Sequence, residues 1–222
     1  MIKNQIPNNS LAKQQKKLAL ILFETGIIQF NFKKGWRLKL HEKHPRAPLS
    51  PFYINLRLLQ SCLPAKKEAL NALVQLAKPL KYDSIAGIPL AAISLASSMA
   101  DKTGKPQITP RINKKSHGQS QQIDGIFQKN DVVLLIDDLV TRADSKLEVI
   151  KILENNDLIV KDLIVLFDRE QGGKEQLSQK GYQLHSALKI TPVLNFYEKA
   201  GKISSRSLKK VLNYLATFSN KT

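Results

Sequence analysis

Apolar residues recur along this chain with two spacings, and the change falls near residue 82. Before it, Leu18, Ile21, Leu22 and Thr25 share one face at helical intervals, which predicts a helix over 11–25 stopped by Gly26. Residues 1–10 read as a loose, flexible leader. The runs "IIQFNF" and "WRLKL", separated by "KKG", read as two short strands of a hairpin. "HEKHPRAPLSP", with its three prolines and mixed charge, reads as a loop, and "FYINLR" as a further strand. "PAKKEALNALVQLAKPL" has helical periodicity, with Pro64 near the first turn where a missing N–H does no harm.

After Tyr82, short apolar runs alternate with helices. "DSIAG", "PQITPR", "DVVLLI", "KDLIVLFDR" and "YQLHSAL" read as strands. "IPLAAISLASSMADKTG", "SKLEVIKILENN" and "GGKEQLSQKG" read as the helices between them, and two more close the chain at 191–200 and 204–218. "DVVLLI" is apolar without alternation, as expected of a strand covered on both faces of a parallel sheet. The order predicts an α/β fold: an open, mostly parallel sheet flanked by helices, with a small N-terminal α+β hood. The hood is assigned to 11–63 and the α/β core with its C-terminal helices to 64–222, as one domain.

Composition narrows the classes. No apolar run approaches the roughly 18–20 residues a membrane-spanning helix needs, and the basic, polar N-terminus lacks the apolar centre of a signal peptide. A soluble, cytoplasmic protein without a membrane partner is expected. The single cysteine, Cys62, excludes an intramolecular disulfide and a cysteine-based zinc cluster, and is read as a buried thiol. The formal charge of +17 favours anionic ligands. The lysines are spread from end to end with no interleaved aromatics, so small phosphorylated molecules suit them better than nucleic acid. His41 and His44 share one proline-rich loop, a weak indication of a metal site.

In an open α/β sheet, ligands bind beyond the carboxyl ends of the strands. Three such ends stand out: Ile85–Gly87, Asp137–Asp138 and Asp168–Arg169. Two adjacent carboxylates at a strand end suit the hydroxyls of a ribose, or a magnesium ion held mostly through water; the alternative is that one caps a helix. The following turn, "LVTRADSK", offers the Thr141 and Ser145 hydroxyls and N–H groups at a helix N-terminus, where an anion is favoured. It contains no glycine. Arg142, Ala143 and Asp144 occupy its middle, and Asp144 is read as turned outward to cap a helix opened by Ser145 and Lys146.

"VVLLIDDLVTRADS" resembles the phosphoribosyl-pyrophosphate motif of type I phosphoribosyltransferases. The chain more specifically resembles orotate phosphoribosyltransferases, above all those fused to a decarboxylase in uridylate synthases. The likeness covers about residues 18 to 215 through an ordered set: "LALILFETGIIQF", "WRLKL", "SPFYINLR", "AGIPLAA", "RINKKSHG", "IDG", "VVLLIDDLVT", "VLFDREQGG" and "YQLHSALKITPVL". It implies the type I phosphoribosyltransferase fold and a reaction: orotate and Mg²⁺-phosphoribosyl pyrophosphate give orotidine 5′-monophosphate and pyrophosphate, in UMP synthesis. It further implies catalytic roles for Arg111, Lys115, His117 and Asp138, the first three as a pyrophosphate clamp with Lys115 foremost. Asp137 and Asp138 would hold the ribose hydroxyls and position magnesium, and residues 141–145 (Thr141, Arg142, Ala143, Asp144 and Ser145) the 5′-phosphate. Lys39, Phe52, Tyr53, Thr141 and Arg169 would line the orotate side. The resemblance also implies a homodimer with active sites shared between subunits, and a separate orotidylate decarboxylase as a partner, since only the first half of such a fusion would be present.

The sequence departs from the family pattern in places. Ile112 stands where a second clamp lysine is usual, Asn113 replaces a glutamate, and Ala86 stands where some members carry lysine. "LKLHEKHPRAPLSP" is longer than the usual turn, and the phosphate loop lacks glycine. Two alternatives stay open: transfer to another base, or a non-catalytic, regulatory or RNA-binding member of the fold.

Overall fold

The computed structural model describes residues 10–38, 40–112 and 122–219, without the side chains of 40, 43, 218 and 219. In chain order the elements are α1 (Lys13–Glu24), β1 (Ile28–Phe30), α2 (Leu40–Lys43), β2 (Phe52–Ile54), α3 (Leu63–Ala77), β3 (Ser84–Gly87), α4 (Ile93–Thr103), β4 (Gln107–Pro110), β5 (Ile123–Asp124), β6 (Val132–Val140), α5 (Asp144–Glu154), β7 (Ile159–Asp168), α6 (Gly173–Ser178), β8 (Gln183–Lys189), α7 (Ile190–Lys199) and α8 (Ser205–Ser219). A 3₁₀ turn, Leu56–Gln60, precedes α3. Two compact units form: residues up to Asn55 join those from Leu188 onward, and Leu56–Ala187 make the other. Among the described residues no helix is long and apolar enough to cross a membrane.

In the first unit, α1 buries Leu18, Ala19 and Leu22, whereas Thr25 is exposed. Thr25 caps the last turn by donating its hydroxyl to the Ile21 carbonyl (2.6 Å), and Gly26 leaves the helix at φ +69°. The Tyr197 side chain of α7 is fully buried here and donates to the Ala19 carbonyl at 2.6 Å, with the Phe23 and Phe30 rings against it. Burial holds its phenol above the usual tyrosine range.

The expected hairpin between "IIQFNF" and "WRLKL" does not form. β1 pairs antiparallel with β2 instead, Ile28 opposite Ile54 and Phe30 opposite Phe52. The Asn31 side chain accepts the Lys34 N–H at 3.0 Å, making a turn that carries Trp36 to Ser50 for one isolated bridge. "FYI" presents two aromatic residues and a β-branched one, a better edge for β1 than "WRLKL" with its two cations and no β-branched residue. α2 takes the last residue of "WRLKL" and the first three of the segment read as a loop.

The second unit is built on a six-stranded sheet in the order β5-β4-β3-β6-β7-β8. β3 is parallel to β4 and to β6, and β6 to β7; β5 runs antiparallel to β4. β6 is the longest surprise: it continues past "DVVLLI" through both aspartates to Val140. Val133 to Ile136 are buried without alternation, because helices cover both faces, and Val133, Leu135, Val149, Leu153 and Leu163 share one core. This mixed sheet flanked by helices is the α/β architecture expected of a type I phosphoribosyltransferase. α4 ends as expected at Gly104, in the left-handed region at φ +67°.

Candidate active site

β3 leads outward to β4 and β5, while β6 leads the other way to β7 and β8. Their adjacent carboxyl ends form the point where strand order reverses, the position that binds ligands in open α/β sheets. At the β3 end the chain turns back so tightly that a Cβ on Gly87 would lie 2.7 Å from the Ala92 carbonyl oxygen. The Ile88 N–H donates to Ile136 O at 2.9 Å, fixing this turn beside β6.

The two aspartates at the β6 end have different surroundings. Asp137 is 5% exposed, and both its oxygens are engaged. Oδ1 accepts the Asp138 N–H at 2.8 Å, and Oδ2 lies 2.6 Å from the Lys146 ammonium. Lys146, equally buried, also donates to the Leu139 carbonyl at 2.8 Å and reaches the Ser145 hydroxyl at 3.5 Å. Asp138 is half-buried. Burial, then the charge and hydrogen bond of Asp137, push its carboxyl up to about 7, against the pull of Lys146 and the Leu139 N–H. A cation or a hydroxyl ligand at this carboxylate would be met by a group poised between its two forms near neutrality.

The loop after β6 rests on the start of α6. A Cβ on Gly173 would fall 2.5 Å from Val140 Cγ2 and 3.0 Å from the Thr141 carbonyl oxygen. Gly173 donates its N–H to that same carbonyl at 3.1 Å. Gln176, one turn further on, accepts the Ala143 N–H at 2.8 Å. The close approach usually supplied by glycines inside such a loop comes here from a glycine facing it. The capping expectation for Asp144 is corrected by this arrangement: α5 begins at Asp144, Ala143 holds the N-cap position with helical angles, and no side chain caps the turn. Asp144 is exposed, as is Arg142; Ala143 is buried and Thr141 half-buried.

At the β7 end, the Val140 carbonyl accepts the Arg169 N–H at 3.0 Å, holding Arg169 next to the loop. Asp168 accepts the Glu170 N–H at 2.8 Å and so fixes the turn, with Glu170 in the left-handed region at φ +52°. The Arg169 side chain is 6% exposed. Asp137, Asp138, residues 141–145 and Arg169 thus come together in one unit.

Other expected residues stand elsewhere. Arg111 forks onto Asp124 of β5, Nε to Oδ2 and Nη2 to Oδ1, both at 2.5 Å. Lys115, His117 and Lys39 lie outside the described residues. In the first unit Phe52 is fully buried, edge-on to the Tyr214 ring, so of the two aromatics Tyr53, at 37% exposure and with Trp36 beside it, is the more accessible. Cys62 is half-buried rather than buried, because it stands at the exposed start of α3. His41 is buried with Nδ1 accepting the Leu38 N–H at 2.8 Å, and His44 is exposed. No cluster of three metal-ligating side chains occurs among the described residues.

No family model matches the chain. An orotate phosphoribosyltransferase of Saccharolobus solfataricus is 31% identical over 167 residues, which cover 75% of this chain and 85% of that protein. The chain belongs to the orotate phosphoribosyltransferase family. Uridine 5′-monophosphate synthase of Caenorhabditis elegans is 37% identical over 159 residues, 70% of this chain but 32% of that enzyme. The solved UMP synthase of Leishmania donovani superposes with a TM-score of 0.78 at 28% identity, over 91% of this chain and 42% of that one. The chain therefore spans about a third of the length of its synthase relatives. Lys146, Gln176 and Gly173 are the site residues that motif reading missed.

Proposed function

We propose that this chain transfers the phosphoribosyl group of Mg²⁺-phosphoribosyl pyrophosphate to orotate, giving orotidine 5′-monophosphate and pyrophosphate. The observation that carries the reading is the convergence of a carboxylate pair, a helix-opening loop and a buried arginine at the sheet's reversal point, in a chain of this family. Asp138 takes the ribose diol, and the α5 dipole with the N–H groups of residues 141–145 other than that of Ala143, which Gln176 holds, take the 5′-phosphate. A half-buried carboxylate that joins no cluster of three ligating side chains among the described residues fits a magnesium ion carried in by substrate oxygens better than a resident one. The ion, when bound with substrate, offsets charge on the departing pyrophosphate.

The bond from C1 of the ribose to the pyrophosphate oxygen breaks as the bond from C1 to N1 of orotate forms, and the N1 proton passes to the departing pyrophosphate. The protein holds both partners and stabilises charge, with no covalent step of its own. Arg169 and Thr141 meet the orotate carboxylate, for which a guanidinium fork is suited. Tyr53 and Lys39 belong to the orotate side. Arg111, Lys115 and His117 close on the pyrophosphate, across a homodimer in which each subunit completes the other's site. A separate decarboxylase would then consume the product.

Loss of orotate absorbance with magnesium and phosphoribosyl pyrophosphate tests this directly. The wild type turns over, and Lys115→Ala lowers kcat by roughly 10²-fold or more, as loss of a pre-placed charge does. A folded wild type with no turnover of orotate overturns the proposal.

A further inference from the structure

We propose that Lys146 is a positioning residue for the phosphoribosyl ligand, withdrawing Asp137 from binding and bracing the glycine-free loop through Ser145. The inference rests on the function proposed above. Lys146 occupies the apolar stripe of α5, in register with the buried Val149, Ile150 and Leu153. A leucine there would pack without the desolvation that a buried charge entails. The lysine instead directs its ammonium at three oxygens: Asp137 Oδ2 at 2.6 Å, Leu139 O at 2.8 Å and Ser145 Oγ at 3.5 Å.

Two consequences follow from those contacts. First, Asp137 has both oxygens engaged and is nearly sealed from solvent, so the half-exposed Asp138 alone remains for the ribose diol. The two aspartates that sequence reading treats as a pair divide into an anchor and a ligand. Second, the loop needs a cation beneath it. Its Ala143 N–H is already taken by Gln176, and the exposed Asp144 carboxylate opposes an incoming phosphate. Lys146 places an ammonium there, paired with Asp137; its direct contact with the loop is through Ser145, and solvent screens it far less than it screens a surface lysine. By donating to Ser145 Oγ it also leaves that hydroxyl's own proton for a phosphate oxygen.

Calorimetric titration with ribose 5-phosphate, which needs no orotate, tests the inference alongside thermal unfolding. Lys146→Met is expected to lower the melting temperature and to weaken ribose 5-phosphate binding about tenfold, as loss of a charged contact does. The double variant Asp137→Asn with Lys146→Met removes both buried charges, and is expected to recover the melting temperature but not the affinity. Lys146→Arg restores part of the affinity. Should Lys146→Met fail to fold, the double variant decides alone: wild-type affinity in it would make the lysine structural only and overturn the inference. Asp138→Asn should weaken binding more than Asp137→Asn, and the reverse order would overturn the division of roles. Wild-type protein that binds ribose 5-phosphate yet never turns over orotate sinks the proposed function and spares this inference; one that turns over orotate but does not bind ribose 5-phosphate overturns this inference and spares the function.

Discussion

Gly173→Ala probes the contact on which the phosphate loop depends. The added methyl would meet Val140 Cγ2 at 2.5 Å and the Thr141 carbonyl oxygen at 3.0 Å. Neither can withdraw freely. Val140 is fully buried at the end of β6, and the Thr141 carbonyl is already bonded to the Gly173 N–H at 3.1 Å. Forced overpacking of this kind costs about 1–3 kcal/mol, and in a chain of this length each kcal/mol lowers the melting temperature by about 2–4 °C. Displacing α6 also shifts the Thr141 backbone that anchors the loop, so the KM for phosphoribosyl pyrophosphate should rise about tenfold while the KM for orotate moves little. Gly172→Ala is the control. Gly172 has φ +95° with no atom near its missing Cβ, so alanine there strains the backbone by about 1 kcal/mol without touching the loop. Differential scanning calorimetry and initial-rate kinetics on both variants supply the test. A Gly173→Ala protein with wild-type stability and KM, or a Gly172→Ala protein with the larger KM defect, refutes the reasoning.

Three other outcomes can be checked. Gln176→Ala frees the Ala143 N–H and should lower the melting temperature of the free protein by the equivalent of about 1 kcal/mol; the loss should shrink when phosphoribosyl pyrophosphate is saturating, and an equal loss in both states would contradict the loop reading. Tyr197 has its phenol held above the usual range by burial, so the folded state keeps a proton that the unfolded chain loses above about pH 10. Stability should therefore fall as pH rises through that range, and ultraviolet titration should show one tyrosine ionising only with unfolding, a class absent in Tyr197→Phe. Asp124→Ala breaks a partly exposed fork and should leave thermal stability near wild type, yet raise the KM for phosphoribosyl pyrophosphate a few-fold if Arg111 closes on the substrate from that position; an unchanged KM would remove Arg111 from the clamp.

The core strands and helices were legible because periodicity records burial. "DVVLLI" lacks alternation since both faces of β6 are covered, and the 3.6-residue stripe of α5 matches its buried face. Strand pairing was not legible in the first unit. "WRLKL" and "FYI" both read as strands, but which one meets β1 depends on a turn set by Asn31 and on the aromatic edge of β2. Nor could sequence spacing show that the C-terminal helices group with the N-terminal residues, since that grouping rests on contacts such as Tyr197 to Ala19.

The glycine-free loop shows why a motif can be located correctly and still be misunderstood. Its absent glycines suggest a weakened phosphate site if each position must serve alone. The need, however, is for close backbone approach, and a facing glycine meets it as well as an internal one: Gly173 brings α6 onto Thr141 with no intervening side chain. That approach brings Gln176 to the Ala143 N–H, which takes one donor from the loop. A loop with one fewer N–H and an added carboxylate then requires positive charge from beneath, and the only residue of its helix face that departs from the apolar stripe is a lysine. One signal of this compensation was available in the sequence: Lys146 stands where the register of Val149, Ile150 and Leu153 calls for leucine. Substituting the loop toward glycine at Ala143 should therefore not improve binding by itself, because Gln176 would still hold that N–H.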